Sequence, residues 1–81
     1  MLSAARKKIS LIAPFYNEEK GAFAFFERVD ALRVRLQDRY DLEVVAVNDG
    51  SRDKTFEKLA EAKGVYPFIK VIDFSRNAPY R

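Results

Sequence analysis

The chain predicts an α/β fold in which three parallel strands alternate with two helices, in the order βαβαβ. Three observations carry this. Apolar, partly β-branched runs lie at about 8–14, 42–48 and 69–74; apolar residues recur at helical steps between them; and polar breaks follow each run.

The first strand, about 8–14, is bounded by Arg6-Lys7-Lys8 in front and by Pro14-Phe15-Tyr16-Asn17 behind, and reads as buried on both faces. A helix is expected over about 18–38. Asn17 would cap it, and Glu18 and Glu19 would sit in its first turn, where negative charge suits the helix dipole. Its stripe is Ala22, Phe25, Phe26, Val29, Leu32 and Leu36, with Phe23 and Val34 off it. The second strand, Leu42 to about Asn48, is the nearly continuous apolar run that parallel sheets bury. Asp49-Gly50 is also a hairpin signal. The next segment, about 53–63, decides against a hairpin: it reads as a helix with Phe56, Leu59 and Ala60 inward, capped by Ser51 or Asp53 and stopped by Gly64. The third strand spans about 69–74, and the tail from Ser75 has no periodicity.

These elements make a Rossmann-like βαβαβ half-domain of the three-layer type. With right-handed crossovers and strands stepping one way, both helices fall on the same face of the sheet. The other face is then bare, whereas parallel sheets are normally covered on both sides. One truncated half-domain over residues 1–81, with no second domain, is the expected organisation.

Composition narrows the chemistry. No cysteine means no disulfide scaffold, thiolate nucleophile or Cys-ligated zinc, and no histidine means no Ser-His-Asp triad. The 15 basic and 12 acidic residues give a net charge of +3, a mild bias without a basic helix face, so nucleic acid is not an expected partner. The longest apolar stretch, from Ile9 to Tyr16, is too short to span a membrane and contains a proline. Arg6-Lys7-Lys8 before that stretch has a flavour of a signal peptide, but Asn17-Glu18-Glu19 stands where a small-residue cleavage site belongs, and a cytoplasmic location is expected.

Ligands of open α/β sheets collect outside the carboxyl ends of the strands. Those ends carry Pro14-Phe15-Tyr16-Asn17-Glu18-Glu19, Asn48-Asp49-Gly50-Ser51 and Asp73-Phe74-Ser75-Arg76-Asn77, with neither a G-x-G-x-x-G nor a P-loop. The residues suit a nucleoside: Tyr16 to stack on a base, Asp49 to accept a base N–H, Glu18 for a ribose hydroxyl and Arg76 for phosphate. Each has a plainer alternative. Tyr16 covers the sheet end, Asn17 and Asp49 cap helices and shape turns, Glu18 and Glu19 serve the dipole, and Arg76 is solvated.

Lys8-Ile9-Ser10-Leu11-Ile12-Ala13-Pro14-Phe15-Tyr16-Asn17-Glu18-Glu19 resembles the opening strand and P-x-Y-N-E-E turn of family 2 glycosyltransferases, inverting enzymes of GT-A fold. Residues Val45 to Thr55 are similar to that family's V-x-V-N-D-G-S-x-D-x-T, and Val71 to Asn77 to the V-I-x-x-S-R-N of its polyprenyl- and dolichol-phosphate branch. The resemblance implies a site for a UDP- or GDP-linked sugar, with Pro14 and Tyr16 lining base and ribose, Glu18 on the ribose, Asp49 on the base and Arg76 near the nucleotide. It also implies Mg²⁺ or Mn²⁺ in a complete enzyme, held by an Asp-x-Asp that this sequence lacks. Asp41-Leu42-Glu43 is the nearest imitation, at the wrong end of a strand. The family's catalytic base also falls beyond Arg81, and Ala78-Pro79 replaces the usual Phe-Gly after Asn77. The expectation is therefore weak nucleotide-sugar binding without sugar transfer. An alternative is a non-catalytic scaffold that kept the fold and lost the ligand. In either case a homodimer or larger assembly is expected, through the bare sheet face or the free edge of the first strand. A phosphoacceptor regulator using Asp49 is disfavoured, because the paired acidic residues after the first strand and the later strand lysine are not evident.

Overall fold

The computed structural model of the chain describes residues 6–74. Its elements are β1 (Lys7–Phe15), α1 (Ala22–Leu36), β2 (Tyr40–Asn48), α2 (Thr55–Val65) and β3 (Ile69–Asp73). The three strands form one parallel sheet in the order β1-β2-β3, so the Asp49-Gly50 turn leads into a crossover and not a hairpin.

Both helices pack on one face of the sheet and against each other. That face carries Ala13 and Phe15 from β1, Leu42, Val44 and Ala46 from β2, and Ile69 from β3. Among the described residues nothing packs on the opposite face. Ile12 is 63% and Ile72 42% exposed there, with Val45 and Val47 half-buried between them. β1 is thus covered on one face only; the residues that made it look buried on both sides, Ile12 and Pro14, belong to the open one. Toward the strand starts this open face turns polar. Glu43 accepts a hydrogen bond from the Ser10 hydroxyl and lies 3.7 Å from Lys8 Nζ and 3.3 Å from Lys70 Nζ. Asp41 and Glu43 therefore sit at the end of the sheet away from the strand tips.

β1 is an edge strand, and its hydrogen bonding is set by parity. The Lys7 N–H donates to the Arg39 carbonyl and the Phe15 carbonyl accepts from Asp49, both at the β2 side. In a parallel ladder this turns the amides and carbonyls of Lys8, Ser10, Ile12 and Pro14 outward. Pro14, lacking an N–H, thus stands where no β2 bond is lost.

α1 starts at Ala22 with Gly21 as its cap, four residues later than the expected start at 18. Asn17 does not cap it, for its φ of 54° is left-handed. The Glu18 carbonyl instead accepts from the amides of Gly21 and Ala22, closing a turn ahead of the helix and leaving no acidic residue in its first turn. Ala22, Phe26 and Val29 are buried, whereas Leu32 is exposed and Phe23 packs against the core. In α2 the buried positions are Thr55, Leu59 and Ala62; Ala60 faces outward. Gly64 lies inside that helix, and the stop comes from Pro67, which holds Tyr66 extended at φ −119°, ψ 95°. An aromatic chain Phe15–Phe26–Tyr66–Phe68, joined by Phe25, runs through the helix side of the molecule with centroid spacings of 5.3–6.5 Å.

Candidate functional site at the strand tips

The tips of β1 and β2 end level, Phe15 pairing with Asn48, so the two following loops start side by side. The Asp49 amide donates to the Phe15 carbonyl at 3.0 Å, and the Phe74 amide donates to the Asn48 carbonyl at 3.0 Å. Beneath these loops the Asn48 side-chain amide donates to the Asp73 carboxylate at 2.9 Å, both residues being buried.

The loops are held to one another by side chains bonding amides. Asn17 N–H donates to the Ser51 hydroxyl at 2.9 Å, Glu18 N–H to the Thr55 hydroxyl at 2.7 Å, and Glu19 N–H to the Asp53 carboxylate at 3.4 Å. In the other direction Arg52 N–H donates to the Asn17 side-chain oxygen at 2.8 Å and Lys54 N–H to the Glu19 carboxylate at 3.2 Å. Asp53 also accepts from the Thr55 hydroxyl and amide, and the hydroxyl bond leads the effects that hold its carboxyl below the usual range. Gly50, at φ 78°, lets the chain reverse between Asp49 and Ser51.

Four of the residues singled out from the sequence stand at this one end of the sheet, in two settings. Pro14 and Glu18 line one cleft of about 320 Å³ with Ala13, Phe15, Gly21 and Phe25. Tyr16, 56% exposed, and Asp49 stand exposed on the neighbouring strand tips. Arg76 lies outside the described residues. Asn17 has the turn-shaping role among its alternatives, and Glu19 binds the facing loop rather than the helix dipole. Ser51 and Asp53, expected as caps of the second helix, tie the two loops together with Thr55, and Lys54 holds the cap position. The alternation of Ser51, Asp53 and Thr55 at every second position, opposite three consecutive amides, is the signal for these ties. Because the amides of residues 17–19 are already bonded, this loop is no backbone cradle for an anion.

The family described as Glycosyl transferase family 2 matches residues 10–80. The chain belongs to that family. Among relatives, it is 38% identical over 68 residues to an uncharacterized glycosyltransferase, YkcC, of Bacillus subtilis, covering 84% of this chain and 20% of that protein. It is 41% identical over 66 residues to an undecaprenyl-phosphate 4-deoxy-4-formamido-L-arabinose transferase of Pseudomonas fluorescens, covering 79% and 19%. With a dolichol-phosphate mannosyltransferase of Pyrococcus furiosus the identity is 40% over 65 residues, covering 80% and 17%. The chain thus spans about a fifth of the length of these glycosyltransferases. Among the described residues, no helix is long and apolar enough to cross a membrane.

Proposed function

We propose that this chain is an N-terminal, nucleotide-binding part of a family 2 glycosyltransferase, the βαβαβ half of its sugar-donor domain, taking the UDP or GDP part of a sugar donor at the strand tips. The observation that carries the reading is the convergence, at one end of the sheet, of Pro14, Tyr16, Glu18 and Asp49 from two separate stretches inside the family match. Tyr16 offers a stacking face, Asp49 an acceptor for a base N–H, and Glu18 an acceptor for a ribose hydroxyl; Arg76 is assigned to the phosphate end.

A metal is a different matter. Among the described residues no group of three or more acidic side chains gathers as a set of ligands, and Asp41 and Glu43 are committed to lysines at the far end of the sheet. The described residues do not fit the Mg²⁺ or Mn²⁺ proposed for a complete enzyme, so no chemical step is assigned to them. On this reading the described residues supply nucleotide binding, and in a family 2 enzyme metal and base act at the same tips to invert the sugar carbon. Titration of the chain with UDP and with GDP, followed by amide chemical shifts, tests the reading: shifts at Tyr16 and Asp49 support it, and silence with both nucleotides overturns it.

The open sheet face favours a second reading, a scaffold that associates through apolar surface. Ile12 and Ile72 are its exposed anchors. On that reading the chain self-associates and ignores nucleotides.

A further inference from the structure

The two loops at the strand tips are each shaped by the side chains of the other. Without those bonds, the stretch from Tyr16 to Gly21 has one left-handed residue and a single turn to hold it. Fixing such a segment costs backbone conformational entropy. Of the five cross-loop bonds that offset it, Thr55 accepts the one from Glu18 and Asn17 the one from Arg52. Thr55 is fully buried in the first turn of α2, and its hydroxyl accepts from Glu18 N–H while donating to Asp53. Asn17 sits in the left-handed conformation that its residue type tolerates, and from there its side chain accepts from Arg52 N–H.

We propose that Thr55 and Asn17 are positioning residues of the nucleotide site: they fix the main chain bearing Tyr16 and Glu18 against the loop bearing Asp49. The inference rests on the nucleotide reading above. Both residues act through backbone amides, not by touching the ligand.

Three variants test it. Thr55→Val keeps the side-chain shape and removes the hydroxyl; Thr55→Ser restores one; Asn17→Gly keeps the left-handed backbone and removes the acceptor. Dissociation constants are measured for whichever of UDP and GDP the unaltered chain binds, and amide hydrogen exchange is followed without nucleotide. Thr55→Val and Asn17→Gly should each weaken binding about tenfold, the scale of one hydrogen bond lost from a preorganised site. Thr55→Val should speed exchange at Glu18, and Thr55→Ser should recover both properties. A folded Thr55→Val chain that exchanges faster at Glu18 yet binds as tightly as the unaltered chain overturns the inference and leaves the nucleotide reading standing. If Thr55→Val does not fold, unchanged affinity in Asn17→Gly overturns it equally. An unaltered chain that binds neither nucleotide overturns the reading underneath, and the inference with it.

Discussion

Asn48 and Asp73 meet side chain to side chain beneath the strand tips, the amide of one donating to the carboxylate of the other across 2.9 Å. They occupy the last inward-facing positions of β2 and β3, where an apolar pair would otherwise continue the core. The pair therefore couples the ends of two strands in a place shielded from water.

Asn48→Asp is expected to destabilise the fold by about 2–4 kcal/mol at neutral pH, because it sets two buried carboxylates against each other and removes the donor. Exchanging the two residues, Asn48→Asp with Asp73→Asn, should restore part of that loss. Urea unfolding of the two single variants and the double variant gives the coupling directly.

Phe26 is the largest fully buried side chain and contacts three other rings. Phe26→Ala should cost about 3–5 kcal/mol. A chain of 81 residues has a total stability of only about 4–12 kcal/mol, so that single truncation should leave little or no cooperative melting transition by calorimetry.

The Ser10 hydroxyl, followed by Lys70 and Lys8, holds the Glu43 carboxyl below its usual range. A carboxylate whose pKa falls on folding stabilises the fold above its unfolded pKa, and that contribution disappears as pH drops through the folded value. Ser10→Ala should therefore raise the Glu43 titration midpoint and shift acid unfolding to higher pH. A carboxyl-detected NMR titration that leaves the Glu43 midpoint in place would contradict the assignment.

The open sheet face is expected to drive self-association, since buried apolar area is worth about 25 cal/mol per Å². Ile12→Glu combined with Ile72→Glu should shift sedimentation toward monomer while both helices stay folded. A monomeric unaltered chain at high micromolar concentration would count against association through this face.

The purified chain is expected to show no transfer from radiolabelled UDP-glucose or GDP-mannose. Turnover above background would show that the residues in hand suffice for catalysis.

The alternation of strands and helices was legible because apolar spacing in β2 and the buried part of the helical stripe, Ala22 to Val29, answer to burial alone. The parallel sheet, the shared helix face and the open opposite face followed from connectivity. The start of α1 was not legible. Asn17 and the two glutamates have the composition of a capped first turn, yet their amides bond to residues 34–37 positions away, which local propensity does not register. The same holds for Leu32 and Ala60. Helical spacing places them on apolar stripes, but a sheet only three strands wide covers a narrower arc of each helix than the stripes suggest. Of the candidate site, the exposed set at the tips was readable from topology, while the ties that hold it were not.

Pro14 has a consequence for whatever lies alongside β1. A strand added at that edge finds donors at Lys8, Ser10 and Ile12 and then none, so its ladder is one rung short at the tip. A partner strand at that edge would be held less firmly beside Tyr16 than along the rest of β1.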